Sequence, residues 1–141
     1  MDFNQLSEFI ANHPLLFMAL LAILAMLVGG ELRNRLSKVK QVAPGEATRL
    51  LNHEDAIMVD MRTEKDFRAG HIVNAMHVPA DNAGNALKKY SSRPLIIYCS
   101  NGQQSVKLGT ELVKQGFNAV YNLKGGITAW QQADLPLGKG K

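Results

Sequence analysis

The chain has 141 residues, of which 46% are hydrophobic, a formal net charge of +4 and a single cysteine. That length holds one compact domain and little more, and that apolar content excludes a chain left disordered for want of a core. One cysteine excludes an internal disulfide framework and a cysteine-built zinc cage, and it suits a reducing compartment where a lone thiol stays free.

The charge is uneven. Residues 1–30 carry Asp2 and Glu8 and no lysine or arginine, whereas residues 31–41 carry Arg33, Arg35, Lys38 and Lys40 against Glu31. The remaining hundred residues hold 12 basic and 9 acidic side chains, an ordinary balance, so the charge gives no reason to expect nucleic acid as a partner. The basic cluster has a better explanation beside a membrane.

No Asp, Glu, Lys or Arg occurs from Phe9 to Gly30, and Leu15–Val28 is wholly apolar. At about 1.5 Å per residue a helix over this stretch reaches about 33 Å, enough for a hydrocarbon core of about 30 Å. The reading is a transmembrane helix over residues 9–30, after a short extracytoplasmic N-terminus over residues 1–8. Asn12, His13 and Pro14 fall near the interface, where water can serve them. A cleaved signal peptide would want a positive n-region and a small-x-small site, and neither is present. A buried amphipathic helix would want a polar face, which Leu15–Val28 lacks. Residues 31–41 form a basic juxtamembrane segment that extends the helix into the headgroups, each cation contributing about 1 kcal/mol of attraction to anionic lipid. Membrane lipid is thus the partner of residues 9–40. Positive residues stay on the cytoplasmic side, which predicts a single-pass protein of a bacterial-type inner membrane, N-terminus out and domain in the cytoplasm.

The soluble domain is expected over residues 42–137. Pro44 starts a helix with Ala47, Leu50 and Leu51 as its apolar face. Ala56–Val59 reads as a buried strand with Asp60 and Arg62 at its C-terminal end. Glu64–Ala69 is a short helix closed by Gly70, Ala75–Val78 a strand stopped by Pro79, and a helix surrounds Ala83–Lys89. Leu95–Tyr98 is an apolar strand after Pro94. Cys99 then opens a polar loop, and Ser105 suits the N-cap of a helix whose apolar stripe is Leu108, Leu112 and Val113, ended by Gly116. Ala119–Tyr121 is the last strand, Gly126–Gln132 the last helix, and residues 138–141 an unordered tail. Strands alternating with helices imply an α/β fold, a doubly wound and mostly parallel sheet with helices on both faces.

Cys99 therefore ends a strand just before a helix N-terminus, where unpaired N–H groups and the helix dipole favour a thiolate. A structural cysteine belongs inside a strand or helix rather than at the opening of a glycine-containing polar loop. Gly102 permits tight curvature. Consecutive N–H groups curled around the sulfur would stabilise an anion without a charged side chain. His71 and His77 have no metal-ligand spacing and read as packing or turn residues, Trp130 as core, and Lys124 as an exposed lysine. No metal site is expected.

The stretch Cys99–Ser105 resembles the active-site loop of single-domain rhodaneses, the thiosulfate sulfurtransferase family. Other landmarks agree in order and spacing: Val59-Asp60-Met61-Arg62-Thr63 with Phe67; Ala69-Gly70-His71-Ile72 running to Ala75 and Pro79; and Asn122-Leu123-Lys124-Gly125-Gly126 with Trp130. The resemblance covers roughly Val42 to Leu137. It implies a rhodanese-like fold and a cycle in which Cys99, as nucleophile, accepts a sulfane sulfur as a covalent persulfide and passes it to a second nucleophile. Ser100, Asn101, Gly102, Gln103, Gln104 and Ser105 would form the substrate cradle, with Asp60 and Arg62 in a supporting role. No organic cofactor is implied. The partners implied are a small-molecule or protein sulfur donor and acceptor.

One departure stands out. Many rhodaneses carry Arg or Lys in this loop, and Ser100–Gln104 carry no charge. A neutral loop lowers the expected affinity for thiosulfate, which favours a persulfide on a protein or small thiol as donor. A Cys-x5-Arg phosphatase is the enzymatic rival, but position 105 is Ser and the loop has no arginine to clamp a phosphate. The alternative of another class is a non-catalytic interaction module tethered beside an integral-membrane protein.

Overall fold

The computed structural model of the protein describes residues 2–36 and 38–140, with the backbone alone for residues 33–36. The chain forms two compact units, one ending at Ser37 and the other beginning at Lys38.

The N-terminal unit is two helices, α1 (Phe3–Asn12) and α2 (Pro14–Leu36). The helix expected over residues 9–30 is thus broken near its start, and the N-terminal stretch expected to precede it is itself helical. Pro14 has no N–H to donate, and its ring crowds the residue before it, so His13 leaves helical geometry at φ −131° and ψ 55°. Pro14 then opens α2, where a missing donor costs nothing. Pro14–Leu32, 19 residues, is long and apolar enough to cross a membrane by length and composition, and none of it is buried within the protein. The side chains of Arg33 and Arg35, which the orientation argument used, lie outside the described residues.

The second unit carries a parallel sheet. Its strands are β1 (Lys40–Val42), β2 (Ile57–Asp60), β4 (Met76–His77), β5 (Leu95–Tyr98) and β6 (Val120–Leu123), in the order β1-β6-β5-β2-β4. A separate antiparallel ribbon pairs β3 (His71–Ile72) with β7 (Leu137–Gly138). The helices are α3 (Pro44–His53), α4 (Glu64–Ala69), α5 (Ala83–Leu87), α6 (Gln103–Lys114) and α7 (Gly126–Gln132). Neighbouring strand residues face opposite sides of the sheet. Ile57, Val59, Leu95 and Ile97 pack with Ala83 and Leu87 of α5 and Leu112 of α6. Met58, Ile96 and Tyr98 pack with Ala47 and Leu50 of α3 and Ile127 and Trp130 of α7. Both faces are therefore covered, as the alternation of strands and helices required.

Two expectations change. Residues 40 and 41, expected in a juxtamembrane helix, open the sheet: Lys40 lies opposite Tyr121 and Val42 opposite Leu123. Val39 and Val42 are buried anchors around two exposed polar residues, which suits an edge strand. The tail expected to lack order from Gly138 is tied down, because Gly138 pairs with His71 and the Gly140 N–H donates to the Arg68 carbonyl at 3.1 Å.

Candidate active site

β5 is the central strand, and its C-terminal end lies where the winding reverses: β2 leads outward to β4, β5 to β6. Open α/β sheets bind ligands in the crevice at such a point. Cys99 is the first residue past β5, and the alternation that sends Tyr98 toward α7 sends Cys99 toward α6. α6 packs close to the sheet through Gly109, where an added Cβ would stand 2.9 Å from Ile97 Cδ1.

The helix begins two residues before its expected cap. Gly102, at φ +85°, precedes it in left-handed geometry and supplies no side-chain cap. Ser105 falls inside the first turn and is 1% exposed. Its hydroxyl is spent on side chains, lying 3.3 Å from Cys99 Sγ and donating to Asn122 Oδ1. The sulfur has recruited the residue that would otherwise cap the helix.

Three of the loop's carbonyls are held by donors from α7 and β6. The Cys99 carbonyl accepts from the Ile127 N–H at 3.0 Å, that of Ser100 from Thr128 Oγ1 at 3.0 Å, and that of Gly102 from Asn122 Nδ2 at 3.0 Å. The Gly102 N–H donates to Cys99 Sγ at 3.1 Å. Asn101 Oδ1 lies 3.8 Å from Sγ and holds the Gln103 N–H at 3.1 Å. Burial alone pushes the Cys99 thiol up. Hydrogen bonds from the Ser105 hydroxyl and from the backbone N–H groups of Ser105, Asn101 and Gly102 outweigh burial, so the thiol sits below its ordinary value.

The Gly125-Gly126 turn makes this packing feasible. Gly126 is at φ +60°, and a Cβ there would fall on the Cys99 carbonyl oxygen and 2.7 Å from the Ser100 carbonyl carbon. The turn and the first residues of α7 thus form the wall on which the cysteine loop rests. Cys99 is 4% exposed, while Ser100, Asn101, Gln103 and Gln104 face solvent around it.

Asp60 and Arg62 pair, but on the other face of the sheet. Arg62 holds Asp60 through Nε at 3.1 Å and Nη2 at 2.7 Å, and Nη2 also donates to the Gly70 carbonyl at 2.6 Å. Tyr98 Oη donates to Asp60 Oδ2 at 2.6 Å and accepts the Ile72 N–H at 3.2 Å. Burial, reinforced by Asp60, pushes the Tyr98 phenol well up, so it stays a donor. The group ties β2, β5 and β3 together. Among the described residues no hydrogen bond joins Asp60 or Arg62, expected in a supporting role, to the 99–105 loop.

Sequence reasoning passed over one member of the site, Asn122, which is 1% exposed on β6. A polar side chain inside an otherwise apolar strand was its signal. His71 Nδ1 lies 2.8 Å from the Phe67 carbonyl and its ring stacks on Phe67, while His77 Nε2 lies 2.8 Å from the Arg62 carbonyl. Both do the packing and turn work expected of them. Trp130 is buried, and its indole N–H donates to the Pro136 carbonyl at 3.1 Å. Lys124 is exposed.

Comparison with known proteins gives this geometry a family. The rhodanese-like domain model matches residues 43–133. The uncharacterized protein YibN of Escherichia coli K12 is 37% identical over 98% of this chain and 99% of its own, so the match takes in the N-terminal helices. The thiosulfate sulfurtransferase GlpE of Glaesserella parasuis is 33% identical over 69% of this chain and 91% of its own. Among solved structures, a thiosulfate sulfurtransferase from Pseudomonas aeruginosa superposes with a TM-score of 0.67, at 20% identity, over 72% of this chain and 20% of that one. The rhodanese-like domain of an Anabaena protein gives 0.65 at 24% identity, over 70% and 78%. At such identities the structures speak for the fold, and the sequence matches carry the kinship: the chain belongs to the rhodanese-like family.

Proposed function

We propose that the protein is a sulfurtransferase or persulfide carrier working at the cytoplasmic face of a membrane, with Cys99 as nucleophile. The observation that carries the reading is the lowered thiol inside a loop whose Cys99, Ser100 and Gly102 carbonyls are held by other donors and whose Gly102 N–H points at the sulfur. A Cys99 thiolate attacks the outer sulfur of R–S–SH. The new Sγ–S bond forms as the S–S bond of the donor breaks, and R–S⁻ leaves. A second thiolate then attacks the outer sulfur of Cys99–S–SH, takes it, and returns Cys99 as thiolate. The backbone dipoles around Cys99 lower the energy of the anionic states at both ends of the cycle. The cycle as proposed uses no organic cofactor or metal.

Residues 100–105 carry no cation, so the cradle offers a dianion such as thiosulfate only dipoles. A persulfide on a protein or small thiol is the donor this site suits. α2 would hold the domain against the bilayer, and Arg33, Arg35, Lys38 and Lys40 would keep it on the inner side.

The test is sulfur transfer to cyanide by the full chain in detergent, with thiosulfate or a small-thiol persulfide as donor. Wild type should turn over the persulfide, and Cys99→Ser should lose more than about a hundredfold. Gln104→Arg should lower the KM for thiosulfate severalfold. Undiminished turnover by Cys99→Ser would remove Cys99 as nucleophile, and no turnover by wild type with either donor would favour a tethered interaction module. In intact cells a membrane-impermeant thiol reagent should miss Cys99, and ready labelling would overturn the orientation.

A further inference from the structure

The Cys99 loop contains a chain of hydrogen bonds with a fixed direction. Asn122 Nδ2 donates to the Gly102 carbonyl at 3.0 Å and to Gln41 Oε1 at 2.8 Å. A backbone carbonyl can only accept, so the amide is held with Nδ2 toward Gly102 and Oδ1 toward Ser105. Asn122 Oδ1 carries no hydrogen, so Ser105 must be the donor between them. Ser105 Oγ then presents only lone pairs to Cys99 Sγ, 3.3 Å away. That arrangement suits a thiol, whose S–H can donate to Oγ. It does not suit a thiolate, because two lone-pair atoms would face each other where Cys99 is 4% and Ser105 1% exposed.

We propose that Asn122 is a positioning residue that makes the Ser105 hydroxyl a two-position donor, bonded to Asn122 Oδ1 while Cys99 is a thiol or persulfide and to Cys99 Sγ while it is a thiolate. The proposal rests on the reading that Cys99 works as a thiolate. When the thiol proton leaves to a base in solution, the O–H turns about the Cβ–Oγ bond from Oδ1 to Sγ, and no covalent bond of Ser105 breaks. When Sγ then takes a sulfur from R–S–SH and R–S⁻ departs, Sγ is no longer charged and the hydroxyl returns to Asn122. Ser105 thereby favours the attacking anion over the loaded state, and Asn122 sets the strength of that preference by competing for the same hydrogen.

Cys99 is the only cysteine, so alkylation by iodoacetamide reports on it alone. The experiment is the pH profile of that rate for the full chain in detergent, in wild type, Asn122→Leu, Ser105→Ala and the double variant. Fluorescence of Trp130, the single tryptophan and a buried one, verifies the fold of each. Asn122→Leu frees the hydroxyl but also removes the Gly102 anchor, and the anchor effect is the same whether position 105 carries serine or alanine. The ionisation constant should therefore rise about three- to tenfold more with the serine present than in the Ser105→Ala background, the size of one neutral hydrogen bond. Asn122→Asp, of equal volume, covers the case in which the leucine variant fails to fold. A carboxylate holds the hydroxyl more tightly, so the constant should fall about tenfold further with the serine than in Ser105→Ala. Equal changes in both backgrounds would overturn the proposal. The readout is ionisation rather than sulfur transfer, so a Cys99 that titrates as described yet carries no sulfur would contradict the proposed function and leave this inference standing.

Discussion

Tyr98 and Cys99 are neighbours in sequence and open onto opposite faces of one sheet. On the Tyr98 face, permanent charges are fully engaged: the Asp60 side chain is fully buried, Arg62 nearly so, and the phenol and the Gly70 carbonyl complete the bonding. On the Cys99 face no formal charge is present within the loop. Backbone and hydroxyl dipoles stand ready for an anion that comes and goes. The first arrangement resists change, since a buried charge that loses its partner is costly. The second tolerates change, because a dipole cradle carries little penalty when the sulfur is neutral. One residue of strand alternation keeps the two apart.

Three substitutions sharpen that contrast. Arg62→Ala strands the buried Asp60 and should cost about 3–5 kcal/mol of stability, read by unfolding through Trp130 fluorescence. The alkylation profile of the fraction that stays folded should not move. A profile shifted as far as that of a loop variant would join the two regions that the structure separates. Gly126→Ala touches the wall between loop and α7. Its Cβ collides with the Cys99 and Ser100 carbonyl groups, which should cost about 1–3 kcal/mol and slow alkylation as well, so both readouts change together. Ser105→Ala should cost the least, about 1 kcal/mol. Its effect belongs in the thiol profile, whose midpoint should rise.

The sign of the pH dependence follows from the thiol. Its hydrogen bonds favour the thiolate, so the wild-type midpoint lies below that of an ordinary free cysteine. Reactivity therefore climbs as pH rises through that lower midpoint. The linked stability is present above the free-thiol value and is lost as pH falls through the folded one. Ser105→Ala narrows that window from below.

Most of the sheet was legible because apolar runs such as Leu95–Tyr98 are buried on both faces and leave a plain signal. Glu64–Ala69 and Gly126–Gln132 were legible to the residue from their caps and glycines. The edges were not. Lys40–Val42 is half polar, and its pairing with β6 is a long-range fact that no local pattern carries. Leu137–Gly138 is two residues long, and its partners, His71 and Ile72, are distant in sequence. The break at His13 was available in Pro14, but the run of apolar residues outweighed it. Within the site, Cys99 and the glycines were legible because their backbone demands are local. The cap assigned to Ser105 was misjudged because capping is a local rule, whereas its partners, Cys99 and Asn122, are brought together by the fold.

The central claim is that Cys99 carries sulfur, and the most direct measurement is the intact mass of the full chain after incubation with a small-thiol persulfide, beside thiosulfate and beside Cys99→Ser. The account predicts a gain of one sulfur atom in wild type only, larger with the persulfide than with thiosulfate and removed by cyanide. No adduct from either donor, or the same adduct in Cys99→Ser, would contradict it.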